Sequence, residues 1–180
     1  MERTRTVGYV CFAAFLACIP LANWMIFHVG TVCLPQGLCL LPVAPGLLAP
    51  SGVAAVGFAL VLRDIVQRCL GTRAGLIAVF AGTLAASTFA DPRVAAAAGI
   101  AFLIGELADF AIYTPLQRRG LVRAVLASSV VGLVLDSVVF LWVAFASLDF
   151  LAGQIVGKFW AVLISIPLVH LARRLAPAPA

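Results

Sequence analysis

The chain has 180 residues, of which 64% are hydrophobic and 11% are charged, and its formal net charge is +5. A soluble domain of this length must cover its surface with charged side chains, and twelve basic and seven acidic residues are too few to do so. The composition therefore excludes a soluble fold and predicts an all-α, polytopic integral membrane protein. Because a helix needs about 20 mostly apolar residues to cross the hydrocarbon, the chain has room for about six transmembrane helices in a single membrane domain.

Six apolar stretches are the candidates for these helices, and the short connections between them predict antiparallel neighbours. They cover approximately residues 7–28, 46–68, 74–90, 94–115, 121–146 and 150–171. A competing interpretation of the first stretch is a cleaved signal peptide, because the segment ending at Cys18 resembles a lipoprotein processing site. The apolar run continues to Val29, which favours a retained helix. In the second stretch, Pro50 and Gly52 predict a broken or re-entrant start, and Asp91-Pro92-Arg93 closes the third.

The basic residues indicate the orientation of the chain. Ten of the twelve cations fall near helix ends on one side: Arg3, Arg5, Arg63, Arg68, Arg73, Arg118, Arg119, Arg123, Arg173 and Arg174. The connections on the other side hold only Arg93. By the positive-inside rule both termini are cytoplasmic. The same rule accounts for the positive charge of the chain, so we expect no nucleic-acid partner.

The cysteines and histidines give no sign of a metal centre. The five cysteines follow no metal-binding spacing, and the two histidines fall on opposite sides of the predicted membrane. We therefore predict no metal and no cofactor. Cys33 and Cys39 share the first outer loop, and the sequence leaves open whether they form a disulfide.

Five charged residues need explaining, because an ionised side chain at the centre of a membrane helix costs about 2.5–3.5 kcal/mol: Asp64, Glu106, Asp109, Asp136 and Lys158. Glu106, Asp136 and Lys158 approach the midplane from three different helices, and Asp109 lies one turn deeper. Such residues must be paired, hydrated or neutral, and they are functional candidates by default. The alternative is that Lys158 and one carboxylate form a buried ion pair that only fixes helix packing.

Polar residues continue these charged positions along one stripe of each helix. Tyr113 follows Glu106 and Asp109 at helical spacing, Ser129 precedes Asp136 by seven residues, and Gln154 precedes Lys158 by one turn. Stripes of this kind point inward together, so we predict one internal polar site. Two further features stay open. Asp64, flanked by Arg63 and Arg68, is either a solvated interfacial charge or a gating residue. Trp24 is either an interfacial-belt or a stacking residue, whereas the depth of Trp160 favours a core or stacking position.

Four segments of the chain resemble the VUT family of queuosine precursor transporters. The matching segments are Arg63-Asp64-Ile65-Val66-Gln67-Arg68-Cys69-Leu70-Gly71, Gly105-Glu106-Leu107-Ala108-Asp109-Phe110 with Tyr113, Ala127-Ser128-Ser129 through Asp136-Ser137 to Phe140, and Gln154 to Lys158 followed by Leu163-Ile164-Ser165. They occur in the family order. With Asn23 they extend over nearly the whole chain.

The resemblance implies a multi-pass protein of the bacterial cytoplasmic membrane that imports 7-cyano-7-deazaguanine or a related 7-deazapurine by alternating access. A carboxylate can accept both adjacent donors of such a base, N1–H and the exocyclic amine, and an aromatic ring can stack on its face. We expect Glu106 and Asp136 to accept from the base edge and Lys158 to balance their charge or gate the site. The candidate substrate-binding residues are Glu106, Asp109, Asp136, Lys158, Tyr113, Ser129, Gln154, Trp160, Asn23 and Trp24; the candidates for gating or proton coupling are Asp64, Arg63 and Arg68.

Two other functional classes compete with a solitary transporter. The sequence leaves open whether such a transporter would be a monomer or a homodimer. The chain has the size and helix number of a substrate-binding membrane subunit of an energy-coupling-factor importer, which would need an ATPase partner because the chain lacks the G-x-x-x-x-G-K-[ST] motif. A membrane enzyme is the other class. We expect no enzyme, since neither His28 nor His170 lies near a mid-membrane serine or aspartate. In every case the expected contacts are a small molecule and membrane lipid.

Overall fold

The computed structural model describes residues 2–35, 38–87 and 92–175. They form seven helices and a small sheet. The helices are α1 (Glu2–His28), α2 (Val53–Leu70), α3 (Thr72–Ala86), α4 (Pro92–Leu116), α5 (Leu121–Phe145), α6 (Leu151–Ile164) and α7 (Ile166–Leu175). The strands are β1 (Val32–Cys33), β2 (Cys39–Ala44) and β3 (Leu47–Pro50). The predicted end of the third helix at Ala90 and its closing residue Asp91 lie outside the described residues, as does the side chain of Arg93.

The helices confirm a mainly α-helical membrane protein. Within the described ranges, four segments are long and apolar enough to cross a membrane: Glu2–His28, Val94–Leu116, Leu121–Phe145 and Leu151–Arg174. The last of them comprises α6 and α7. Helix α3 is apolar but short, and α2 contains Arg63, Asp64 and Arg68. A count of six crossings therefore remains a prediction.

The predicted start of the second helix at Gly46 is wrong, because a three-stranded antiparallel sheet occupies that segment. Strand β2 pairs with β1 on one side and with β3 on the other. Pro45 and Gly46 form the turn between β2 and β3, with Gly46 at φ +74°, and this dipeptide is favoured at the centre of tight turns. A disulfide joins Cys33 of β1 to Cys39 of β2. The all-α prediction therefore missed one small, cross-linked sheet.

The predicted sixth helix is interrupted at Ser165, between α6 and α7. Pro167 has no backbone N–H and disfavours helical geometry in the residue before it, so the hydrogen-bond ladder is broken there. The Ser165 hydroxyl donates to the carbonyl oxygen of Ala161 at 2.7 Å, which commonly accompanies a helix bend. The break lies beyond the polar residues of α6.

The bundle has two distinct ends. At one end, Gly8 near the start of α1 lies against Leu70 at the end of α2, and arginines from α2, α5 and α7 surround one pocket; we call this the arginine end. The other end carries the disulfide-linked sheet. Leu40 of β2 and the preceding Leu38 pack on Ile26 of α1 there, and we call it the disulfide end. The structure thus gathers basic residues at one end, as the positive-inside rule requires. Which side of the membrane that end faces remains a prediction.

Candidate functional site

The charged residues of the interior form two separate clusters, so the prediction of one common polar site is wrong. The first cluster is built around Arg63 of α2 and faces α4. The second is built around Lys158 of α6 and faces α5. All the side chains that form their ion pairs are buried.

Arg63 is the centre of the first cluster and contacts three carboxylates. Its Nε donates to Glu106 Oε2 at 2.6 Å, and its Nη2 donates to Asp109 Oδ1. Its Nη1 lies 2.9 Å from Asp64 Oδ1 and donates to Gln67 Oε1 at 3.3 Å. The planar guanidinium, with five N–H donors, suits a site with several acceptors.

Burial of the first cluster settles the position of Asp64. Asp64 and Arg63 are both fully buried, so neither is an interfacial charge. Tyr113 closes the cluster from α4: its hydroxyl donates to the backbone carbonyl of Asp64 at 3.0 Å, and its ring lies 5.9 Å from the Arg63 guanidinium carbon. Tyr113 therefore supports the ion cluster from a buried position.

The second cluster joins α5 and α6 through Lys158. Its ammonium group donates to Asp136 Oδ2, to Ser137 Oγ at 2.9 Å and to Gln154 Oε1 at 3.0 Å. The three donors of the ammonium group are thereby used. The pairing that the sequence offered as an alternative is present, and it involves Asp136.

The second cluster lines a cavity of about 60 Å³ between the helices. Asp136, Lys158 and Gln154 line it from α5 and α6, and Asn23 lines it from α1. The remaining wall is mostly apolar and includes the rings of Phe102 and Phe140 together with Ile26, Pro50 and Gly52 from the disulfide end. Convergent polar groups in an apolar cavity are characteristic of small-molecule sites.

Asp136 is the carboxylate that this cavity can present to a ligand. Its side chain is 13% exposed, compared with 1% for Glu106 and none for Asp109 or Asp64. Lys158 binds its Oδ2. Glu106 does not line the cavity and is held by Arg63, so the expectation that Glu106 and Asp136 share one ligand edge does not agree with the geometry.

Other predicted site residues lie elsewhere. Trp24 and Trp160 are 51% and 52% exposed and do not line the cavity; Trp24 stacks on His28 instead. The core position predicted for Trp160 is therefore wrong, and a stacking role for its ring stays a prediction. Ser129 is buried, and its hydroxyl has no hydrogen-bond partner among the described residues. Arg68 lines a pocket at the arginine end.

Several contributing residues were not predicted. Ser137 accepts from Lys158. Gln67 accepts from Arg63 and donates to Thr114 Oγ1 at 2.9 Å. Gln67 follows Arg63 by four residues, a spacing at which helical side chains meet, so this contact could have been anticipated. The position of Ser137 depends on how α6 packs against α5, which the sequence does not show.

A family comparison covers the C-terminal part of this arrangement. Residues 87–172 match the model of a family described as putative vitamin uptake transporter. This part of the chain is similar to the VUT family. The match includes Glu106, Asp109, Asp136, Gln154 and Lys158, and it stops short of Arg63 and Asp64. No curated protein and no solved structure matches the chain.

Proposed function

We propose that this protein imports a 7-deazapurine, such as 7-cyano-7-deazaguanine, across the bacterial cytoplasmic membrane, and that the cavity beside Asp136 and Lys158 is its substrate site. The observation that carries the proposal is the cavity itself, which combines one accessible carboxylate, one ammonium group and two amides with an apolar wall. The similarity to a vitamin uptake family supports transport of a small organic molecule. The resemblance of the four polar segments supports a deazapurine.

The donors and acceptors of the cavity match the edge of such a base. Asp136 would accept from N1–H and the exocyclic amine, since carboxylates form strong, charge-assisted hydrogen bonds with paired donors. Gln154 uses its carbonyl oxygen on Lys158, which leaves its amide nitrogen to donate to the carbonyl oxygen of the base. The rings of Phe102 and Phe140 supply aromatic surface for the face of the base.

The size of the cavity indicates that substrate enters another conformation. A volume of about 60 Å³ holds only roughly four to six water molecules, whereas a bicyclic base needs more. The described conformation is therefore a closed one in this proposal, and binding requires helices to move apart. Alternating access supplies that movement, with the sheet and α6 closing the disulfide end and α4 and α5 closing the arginine end.

The Arg63 cluster is the proposed site of energy coupling. One guanidinium faces Asp64, Glu106 and Asp109, so the cluster has an excess of acidic groups in a buried setting. Binding of a proton there would relieve repulsion among the carboxylates. Protonation would also weaken the hold of Arg63 on α4, and proton binding could thereby be linked to a change in helix packing.

The decisive experiment is uptake by this chain alone. The chain is expressed in a bacterium that makes no queuosine precursor and lacks its own importer, 7-cyano-7-deazaguanine is supplied, and queuosine is measured in tRNA. Queuosine is expected, and an uncoupler that collapses the proton gradient should reduce the rate of uptake.

Two negative outcomes have different meanings. If queuosine is absent although the protein is present in the membrane and purified protein binds 7-deazapurines, the energy-coupling-factor alternative with an ATPase partner takes over. If purified protein also fails to bind 7-deazapurines, the substrate assignment is wrong. A panel of vitamins is then tested for binding.

A further inference from the structure

The arginine end of the bundle contains a second cavity that plays no part in the proposed transport site. Its volume is about 560 Å³. We call it the arginine pocket. Its polar lining comes from Arg68, Gln117, Arg118, Arg119, Arg123 and Arg173.

The arginine pocket is strongly basic. Five guanidinium groups from α2, from the α4–α5 connection, from α5 and from α7 converge on it, and none of the described residues that line it is acidic. Arg118, Arg119, Arg123 and Arg173 are exposed, whereas Arg68 is only 8% exposed and forms the inner wall. Gln117 is also buried and lines the same pocket.

The first turn of α5 adds donors to the same place. Gly120 precedes the helix and provides no side-chain cap, and Gly120, Leu121 and Val122 line the pocket. The backbone N–H groups at a helix start lack partners within the helix, and the helix dipole favours an anion there. The pocket therefore combines guanidinium forks with backbone donors, which is the donor set that binds phosphate groups.

The positive-inside rule explains why arginines occur at this end but not why these five converge. Arg3, Arg5 and Arg73 also lie near helix ends on this side and satisfy the same rule, yet they do not line the pocket. The pocket lies where α2 ends, α4 gives way to α5, and α7 ends. In a membrane-embedded bundle this level corresponds to the lipid headgroups.

We propose that the arginine pocket binds the phosphate group of an anionic phospholipid. Basic pockets between transmembrane helices on the cytoplasmic side bind anionic headgroups by this chemistry. The site is independent of the transported substrate, and it would fix the ends of α2, α5 and α7 relative to the membrane surface.

The test compares two double variants with equal changes in charge. The pocket variant is Arg119→Gln with Arg123→Gln, and the control is Arg3→Gln with Arg5→Gln, which removes the same charge from the same end. Full-length protein is purified, stripped of lipid and titrated with phosphatidylglycerol or phosphatidylcholine, and bound lipid is counted by native mass spectrometry. We expect selective binding of phosphatidylglycerol, with a Kd raised about tenfold in the pocket variant and less than about twofold in the control.

A third variant keeps the test valid if loss of charge disturbs folding. Arg119→Lys with Arg123→Lys preserves the charge but removes the bidentate forks, so an intermediate loss of affinity is expected. The proposal is wrong if the pocket variant and the control variant weaken phosphatidylglycerol binding equally. It is also wrong if the protein binds phosphatidylglycerol and phosphatidylcholine equally well.

Two further probes identify the source of the phosphate. Inorganic phosphate should compete with phosphatidylglycerol only weakly, at millimolar concentration. If inorganic phosphate binds in a pocket-dependent way and phosphatidylglycerol does not, the ligand is a free phosphate and the lipid assignment is wrong. If a polyglutamate peptide binds more tightly than phosphatidylglycerol and its binding depends on the pocket arginines, the ligand is an acidic protein segment. That result would also contradict the lipid assignment.

Discussion

Gly105 of α4 lies directly against Asp136 of α5. A Cβ atom added at Gly105 would stand 2.7 Å from the Asp136 Cβ, and one added at Gly132 would stand 2.8 Å from the Asp109 Cβ. Each helix thus carries the sequence Gly-x-x-x-Asp, and antiparallel packing sets the glycine of each against the aspartate of the other. The two aspartates lie about 6 Å apart along the helix axes, the rise of four residues, and each binds a cation from a different helix.

Substitution of Gly105 should therefore loosen the α4–α5 contact. In Gly105→Ser the new Cβ would also stand 2.9 Å from the carbonyl oxygen of Gly132, so the helices must separate. We expect a loss of about 1–3 kcal/mol in stability, as for other overpacked sites, measured by thermal unfolding in detergent. The control is Gly120→Ser, where the nearest atom is 3.9 Å away. Equal unfolding temperatures for the two variants would contradict the close contact.

Loss of Arg63 should be more damaging than loss of an exposed arginine. Arg63→Gln leaves Asp64, Glu106 and Asp109 buried without their common cation, and breaking a buried ion pair in this way costs about 3–5 kcal/mol. We expect low membrane abundance of a fluorescent fusion, whereas Arg73→Gln, at an exposed position, should resemble wild type. Adding Asp109→Asn and Glu106→Gln to Arg63→Gln should restore part of the abundance. If abundance is not restored, the unpaired carboxylates do not explain why loss of Arg63 destabilises the protein.

Lys158 and Asp136 should behave as a pair in folding. Lys158→Met leaves Asp136 without its ammonium partner and is expected to lower membrane abundance. Adding Asp136→Asn removes the unpaired charge and should restore part of it, but not uptake, because the carboxylate that reads the substrate is gone. The measurement is fluorescence-detected size-exclusion chromatography of both variants. An unrestored double variant would show that Lys158 acts through Ser137 and Gln154 alone.

Asp136→Asn by itself should abolish uptake without loss of protein. Lys158 keeps its hydrogen bonds to Ser137 and Gln154 in this variant, so the fold should persist. The amide, however, has no negative charge and replaces one acceptor oxygen by an NH₂ donor, so it cannot pair with the two adjacent donors of the base edge. Queuosine in tRNA is the measured quantity, normalised to membrane abundance. The control is Asp149→Asn, the same change at an exposed position. If Asp136→Asn takes up substrate at the wild-type rate, the cavity beside Asp136 is not the substrate site.

Labelling of the disulfide cysteines tests the predicted orientation. If the disulfide end faces outward, a membrane-impermeant maleimide should label intact cells only after treatment with an impermeant reductant. The gain in labelling should vanish in Cys33→Ser with Cys39→Ser, which leaves Cys11, Cys18 and Cys69 unchanged. Labelling that also requires permeabilised cells would place this end in the cytoplasm and reverse the assigned topology.

The sequence by itself determined the class of the protein and most of its helices. Mostly apolar stretches are as long as a bilayer crossing, and α4 and α5 begin and end within two residues of their predicted bounds. It also identified four of the buried charges, because a charge in the middle of an apolar stretch cannot reach water: Glu106, Asp109, Asp136 and Lys158. The sheet was missed although Pro45-Gly46 is a turn signal, since the flanking residues are as apolar as those of a helix.

Tertiary structure decided how the buried charges are divided. Arg63 and Asp64 lie in a locally basic segment whose sequence is typical of a membrane interface. They are buried only because α2 packs against α4. Likewise, Gly57 lies against the backbone of Lys158, and this α2–α6 contact helps set the rotation of α6, which turns Lys158 inward and Trp160 outward. The rotation and depth of each helix depend on contacts between segments that are distant in the sequence. Because lipid accepts apolar side chains on the outer surface of the bundle, an apolar side chain can face either the core or the lipid. The hydrophobic pattern of one helix therefore cannot specify its rotation.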